Sequence, residues 1–187
     1  MARFWRLNSS TFSTIRATKA NNLNPDPLNK RIEALVKQFN LLPHPEGGFY
    51  VETYRSDLRV AAIDRSLTTV IYFLLTSENI SNFHRIKSDE LWFFHEGSPL
   101  TVHTLDPEKG YQQHKVGLAI ENGQTPQLLV PKNTIFGSTV DSADSYSFVS
   151  CVVAPGFDFN DFELFTRKAL LEEYPEEQAV IERLTAG

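Results

Sequence analysis

A chain of 187 residues with 41% hydrophobic and 22% charged side chains is sized for one globular domain with a substantial core. A formal charge of −5 without any basic stripe argues against a nucleic-acid surface, and no apolar run nears the ~18 residues of a membrane span. A single cysteine, Cys151, excludes an internal disulfide framework.

Residues 1–25 carry Arg3, Arg6, Arg16 and Lys19 and no acid, with many Ser and Thr and the apolar Phe4, Trp5 and Phe12. This is the composition either of an organelle transit peptide, most simply mitochondrial, or of a plain N-terminal extension. The expected location is accordingly mitochondrial or cytoplasmic, and the folded domain is set at residues 26–187. Asp26 can cap and Pro27 can start a helix, along which Leu28, Ile32, Leu35, Val36 and Phe39 form one apolar stripe ending near Asn40.

From Leu41 to about Pro155 the helical period gives way to short runs rich in Val, Ile, Thr, Tyr and Phe, punctuated by Gly, Pro, Asn and Asp. Strands are predicted at Gly48–Tyr54, Leu67–Thr76, Asn82–Ile86, Glu90–Glu96, Leu100–Leu105, Gln112–Leu118, Gln127–Val130, Ile135–Val140 and Tyr146–Val153. Nine short strands at this spacing predict an all-β sandwich or barrel. Leu67–Thr76 is apolar on both faces and is expected to be covered on both sides. Cys151 lies in the apolar run Phe148–Val153 and reads as a buried structural thiol rather than a nucleophile. Beyond Pro155 the chain turns acidic and helical. Leu170, Leu171 and Tyr174 form one stripe, Pro175 interrupts it, Ala179, Val180 and Leu184 resume it, and the acids read as a solvated face.

The chemistry concentrates at Asn82–Gly97. His84 and Glu90 lie on consecutive predicted strands joined by the tight turn Lys87-Ser88-Asp89, so that as an antiparallel pair their side chains can face each other across the ladder. Trp92 and Phe94 share the parity of Glu90, while Leu91, Phe93 and His95 point the other way. An imidazole and a carboxylate in an aromatic surround can act as general acid and base, or as two metal ligands; a plain ion pair is the alternative. Near the start of the strands, Tyr50, Glu52 and Tyr54 alternate onto one face and Arg55 follows. That face is too polar for a passive core, so it either lines a pocket or faces solvent with Phe49, Val51 and Thr53 inward. His44 and Glu46 read as loop-stabilising groups beside the Gly47-Gly48 turn.

These motifs resemble the cupin superfamily. His84, Glu90 and Gly97 match the spacing of its first motif, and Pro131–Phe136 is similar to the second. The segments His44-Pro45-Glu46-Gly47-Gly48, Glu52–Ser56, His84–Trp92 and Val153–Phe159 resemble one subfamily in particular, the single-domain cupins of unknown function. The resemblance implies a double-stranded β-helix, the cupin jelly-roll barrel, with flanking N- and C-terminal α-helices, a ligand pocket inside the barrel and a homodimer. It also implies a divalent metal, but Ile86 and Phe136 stand where the family's histidines would be, so that only His84 and Glu90 remain of the usual ligand set and no cofactor is certain. The expected pocket residues are Tyr50, Glu52, Tyr54, Arg55, Trp92, Phe94 and Phe136, around an acid/base pair of His84 and Glu90. The leading functional reading is a small-molecule-binding cupin acting on a polar or sugar-like ligand. A metal-dependent dioxygenase or isomerase and a non-catalytic binding cupin are the alternatives.

Overall fold

The computed structural model describes residues 27–186, so the N-terminal segment and the proposed cap at Asp26 lie outside the described residues. The chain runs through α1 (Pro27–Phe39), β1 (Leu42–Pro43), β2 (Phe49–Arg55), β3 (Arg59–Val60), β4 (Arg65–Ser66), β5 (Thr69–Thr76), β6 (Ile80–Ile86) and β7 (Asp89–Gly97). It continues through β8 (Leu100–Asp106), β9 (Gly110–Val116), β10 (Gln127–Val130), β11 (Ile135–Val140), β12 (Tyr146–Ala154) and β13 (Phe162–Leu164), and ends on α2 (Arg167–Glu173) and α3 (Gln178–Arg183). All nine predicted strands form; the additional β1, β3, β4 and β13 are only two or three residues long and carry no periodic pattern of their own.

Two antiparallel sheets make the barrel, one in the order β1-β2-β5-β12-β7-β10 and the other β13-β6-β11-β8-β9. Residues of period two from both sheets meet inside, with Phe73, Leu75, Trp92, Val149 and Cys151 from the first packing on Ile86, Leu100, Val102, Phe136 and Val140 from the second. The outer face of the first sheet is closed by α1. Its whole predicted stripe, Leu28, Ile32, Leu35, Val36 and Phe39, packs on Leu74, Tyr72 and Phe148. This is why β5 reads as apolar on both faces: Phe73 and Leu75 belong to the interior, Leu74 and Tyr72 to the contact with α1.

The second sheet is closed on its outer side by the C-terminal helices, where Phe83, Leu105 and Ile135 meet Leu170, Ile181 and Leu184. Thr166 caps α2 by accepting from the Ala169 N–H. In α3 the predicted Leu184 is fully buried and Val180 packs against the same cluster, while Ala179 is exposed and Ile181, outside the predicted stripe, is fully buried.

One expectation is corrected by topology. β6 and β7 are consecutive but belong to different sheets, so Lys87-Ser88-Asp89 is a crossing between layers and not a hairpin turn. His84 is paired with Phe136 of β11 and Leu164 of β13, and Glu90 with Val153 of β12 and Val130 of β10. His84 and Glu90 are therefore not partners in one ladder. Both side chains nonetheless turn inward, because each has the interior parity of its own sheet and the two interior faces oppose each other.

Candidate functional site

A cavity of about 480 Å³ opens at one end of the barrel, within the range of small-molecule sites. Of the residues expected to line it, His84, Glu90, Trp92, Tyr50, Glu52 and Arg55 do so. Tyr54, Phe94 and Phe136 do not. Tyr54 is exposed because β2 carries a bulge: Glu52 is opposite Ile71, but Tyr54 is opposite Val70 and Arg55 opposite Thr69. One extra residue inverts the parity of everything after it, so Arg55 takes the inward place that strict alternation assigns to Tyr54. Phe94 keeps the inward parity but sits beyond Trp92, packed in the barrel core. Phe136 lies behind the site, its ring centroid 4.1 Å from that of His84.

The principal residues missed by sequence reasoning are His44 and Glu46. Both line the cavity, and their loop is drawn inward against β6. The Glu46 carbonyl accepts from both the backbone N–H and the side-chain amide of Asn82, at 2.8 and 2.7 Å. Gly47 has φ +116°, and a Cβ there would stand 1.9 Å from the Ile80 carbonyl oxygen, so the loop can lie this close to β6 only with glycine. The available signal was that glycine pair: two glycines directly after a His-Pro-Glu sequence mark close backbone approach as readily as flexibility.

Glu46, 7% exposed, reaches His84, 2% exposed, at 3.1 Å between Oε2 and Nε2, while its Oε1 accepts from the Ser81 hydroxyl at 2.8 Å. The opposite ring nitrogen, His84 Nδ1, is 2.7 Å from the Asn82 carbonyl. A carbonyl only accepts, so Nδ1 carries a proton and Nε2 of the neutral ring is a bare acceptor facing a carboxyl. The contact then requires one proton between Glu46 and His84. Burial pushes Glu46 up and His84 down to about 4, and both shifts keep that proton on the carboxyl. His44 Nδ1 accepts from the Glu46 N–H at 3.3 Å and lies 3.4 Å from its Oε2; burial lowers this imidazole too.

Glu90 completes the floor. Burial, and then the proximity of Glu46, push its carboxyl up to about 8, against a smaller opposing effect from a hydrogen bond with Cys151. The same surroundings raise the Cys151 thiol, chiefly through burial, so it is a protonated lining group. At the mouth, Arg55 holds Glu52 with two hydrogen bonds of 2.9 and 2.6 Å and donates to the Phe157 carbonyl at 3.2 Å. The segment after Pro155 forms an aromatic wall in which Phe157, Phe159 and Phe162 pack edge to face on one another, and Phe162 also lies against His84.

The metal implied by the family resemblance does not fit these residues. Ile86 lines the cavity and Phe136 backs it where further donors would be needed, and among the described residues no three His, Cys, Asp or Glu side chains converge to hold an ion. Among the described residues, no helix is long and apolar enough to cross a membrane.

Comparison with known proteins agrees with this architecture. The chain is 43% identical to a hypothetical protein from Leishmania major whose structure superposes with a TM-score of 0.78, covering 83% of this chain and 98% of that one. A protein of Shewanella oneidensis gives 44% identity and the same TM-score of 0.78 over 82% and 96% of the two chains. An uncharacterised protein of Saccharomyces cerevisiae is 29% identical over 154 residues, 73% of this chain and 76% of its own. A cupin 2 conserved barrel domain protein from Rhodopseudomonas palustris, 14% identical with a TM-score of 0.52 over 78% and 88% of the chains, shares the fold alone. The family model described as "Cupin superfamily (DUF985)" matches residues 33–165, from within α1 to the start of the C-terminal helices, and the chain belongs to that cupin family.

Proposed function

We propose that this chain binds a small polar molecule in the barrel cavity and moves protons on it. The observation that carries the reading is the Glu46–His84 contact at 3.1 Å on the cavity floor, with Glu90 lining the same space. At neutral pH Glu90, held at about 8, is mainly a carboxylic acid and can donate a proton to a ligand oxygen. The Glu46–His84 pair shares a single proton, and transfer of that proton to His84 leaves a carboxylate able to accept one from the ligand. Two groups of different proton affinity within one dry pocket are what proton abstraction and return require. The aromatic wall supplies ring faces for a compact, partly apolar body, in keeping with a sugar-like or otherwise cyclic ligand.

A thermal-shift and NMR screen of sugars, sugar phosphates, amines and small organic acids tests this directly. The expected result is a ligand that stabilises the wild-type chain and moves the His84 resonances, with both effects lost in His84→Ala and Glu90→Ala. Binding that persists unchanged in both variants places the ligand elsewhere and refutes the assignment.

A further inference from the structure

Charge around the cavity is compensated unevenly. At the mouth every carboxylate faces a cation: Glu52 is held by Arg55, Asp161 by Arg65 and Lys87, and Asp158 lies close enough to Arg55 and Arg65 to act on both guanidiniums. The floor has no such partner. Among the described residues Arg55 is the one Lys or Arg lining the cavity, and it is committed to Glu52 and the Phe157 carbonyl. Glu46 and Glu90, each 7% exposed, are both pushed up by burial, and Glu46 pushes Glu90 further; beside them stand imidazoles whose protonation burial opposes and the Ser81 hydroxyl that donates to Glu46. The Glu90 carboxyl has the Cys151 thiol, a weak donor, as a hydrogen-bond partner, and it lines the cavity where a ligand can reach it.

The walls favour the same sign of charge as the floor. The His44 ring is 4.5 Å from that of Tyr50 and just over 6 Å from those of Phe159 and Phe162, so aromatic faces and edges begin where the carboxyls end. Aromatic faces attract cations, and the attraction grows when water is excluded. A hydroxyl group placed here exchanges one set of neutral hydrogen bonds for another. An ammonium group favours the ionised form of both carboxyls, whose protons pass to water as it enters, and gains charge-assisted hydrogen bonds to them together with the attraction of the rings.

We propose, building on the pocket reading above, that the ligand is a small organic amine whose protonated nitrogen is held by Glu46 and Glu90 and whose body lies against Phe157, Phe159 and Phe162. The cationic nitrogen is then the recognised feature, and the remainder of the ligand is chosen by fit to the aromatic wall.

Matched pairs that differ only in this group test it: cyclohexylamine against cyclohexanol, and glucosamine against glucose, titrated into the full chain and followed by amide and imidazole NMR shifts. The amine of at least one pair is expected to bind about tenfold or more tighter than its alcohol, a difference of about 1.4 kcal/mol. That preference is expected to disappear in Glu90→Gln and Glu46→Gln, whose unliganded spectra report whether the fold is kept. If either isosteric variant fails to fold, the wild-type pair comparison and mapping of the shifted resonances decide alone. Alcohols that bind as tightly as their amines, with shifts at His84, overturn the amine inference and leave the proton-transfer pocket standing. Amines that bind equally well to folded Glu90→Gln and Glu46→Gln also overturn it. If no probe of either pair shifts a cavity resonance up to its solubility limit, the inference falls, and the pocket reading then rests on the wider screen.

Discussion

Replacing Glu90 by Gln keeps the shape of the side chain and removes its proton equilibrium, which makes the charge state of the cavity floor visible as stability. Glu90 is held at about 8 in the folded chain against an ordinary 4.5. Between those values the folded state carries a proton that the unfolded chain has lost, so wild-type stability falls as pH rises, at about 1.4 kcal/mol per pH unit for one proton. The full window of 4.5 to 8 gives a ceiling of about 5 kcal/mol, reached once the folded carboxyl has ionised. His84 acts with the opposite sign. It is depressed to about 4 from 6.5, so its contribution is intact above 6.5 and is lost as pH falls towards 4. Between pH 4.5 and 6.5 the two contributions oppose each other, so urea unfolding from pH 4 to pH 9, fitted with a common m-value, should show wild-type stability nearly flat to pH 6.5 as far as these two groups set it, and falling from there to pH 8. Glu90→Gln should uncover the rise that His84 gives between pH 4 and 6.5 and lose most of the alkaline fall, so that the two curves diverge by several kcal/mol between pH 5 and pH 8. Parallel curves across that interval would show that Glu90 is ionised in the folded chain, and the acid role assigned to it would fall.

Three further outcomes are expected. Ser81→Ala removes the donor to Glu46 Oε1 and leaves a buried oxygen without its hydrogen bond, which should cost about 1–3 kcal/mol and push the Glu46 carboxyl further up, seen by carboxyl 13C titration. Gly47→Ala forces a Cβ to within 1.9 Å of the Ile80 carbonyl oxygen, so the His44–Gly48 loop must leave β6. The His84 imidazole signals should then report loss of the Glu46 contact while the far-UV spectrum is retained. Leu170→Ala opens a hole in the fully buried contact between α2 and the second sheet and should lower unfolding stability by about 2–5 kcal/mol, with little change in the resonances of the cavity.

The architecture was legible because it depends on period. Apolar alternation located nine strands to within one or two residues at most ends, and a single stripe marked the face of α1 that packs on the first sheet. The site was legible only in part, and the misses share a cause. Parity along a strand predicts the facing of Trp92 and Glu90 correctly, but it has no term for the extra residue near Thr53, so Tyr54 was turned inward and is exposed. Pairing of neighbours in sequence predicts a hairpin at Lys87–Asp89, but whether a strand stays in its sheet or crosses to the other is decided by the whole barrel. The groups at His44 and Glu46 were hidden for the same reason, since a loop becomes part of a cavity through contacts with residues some 36 positions away, such as Asn82. Local chemistry named the residue types; long-range contacts assigned their places.

The bulge in β2 bears on how such a cavity can change over time. The residue at its mouth is chosen by register: Arg55 faces in and Tyr54 faces out because Thr53 is looped out of the ladder between Glu52 and Tyr54. Closing the bulge with Thr53 back in the ladder would set Tyr54 opposite Thr69 and exchange a guanidinium for a phenol at the entrance without altering either codon, whereas deleting Thr53 would leave a regular strand with Arg55 still inward. Selectivity at this mouth is therefore open to whether one strand keeps its bulge, a route by which related barrels can diverge in what they admit while the residues on their floors stay in place.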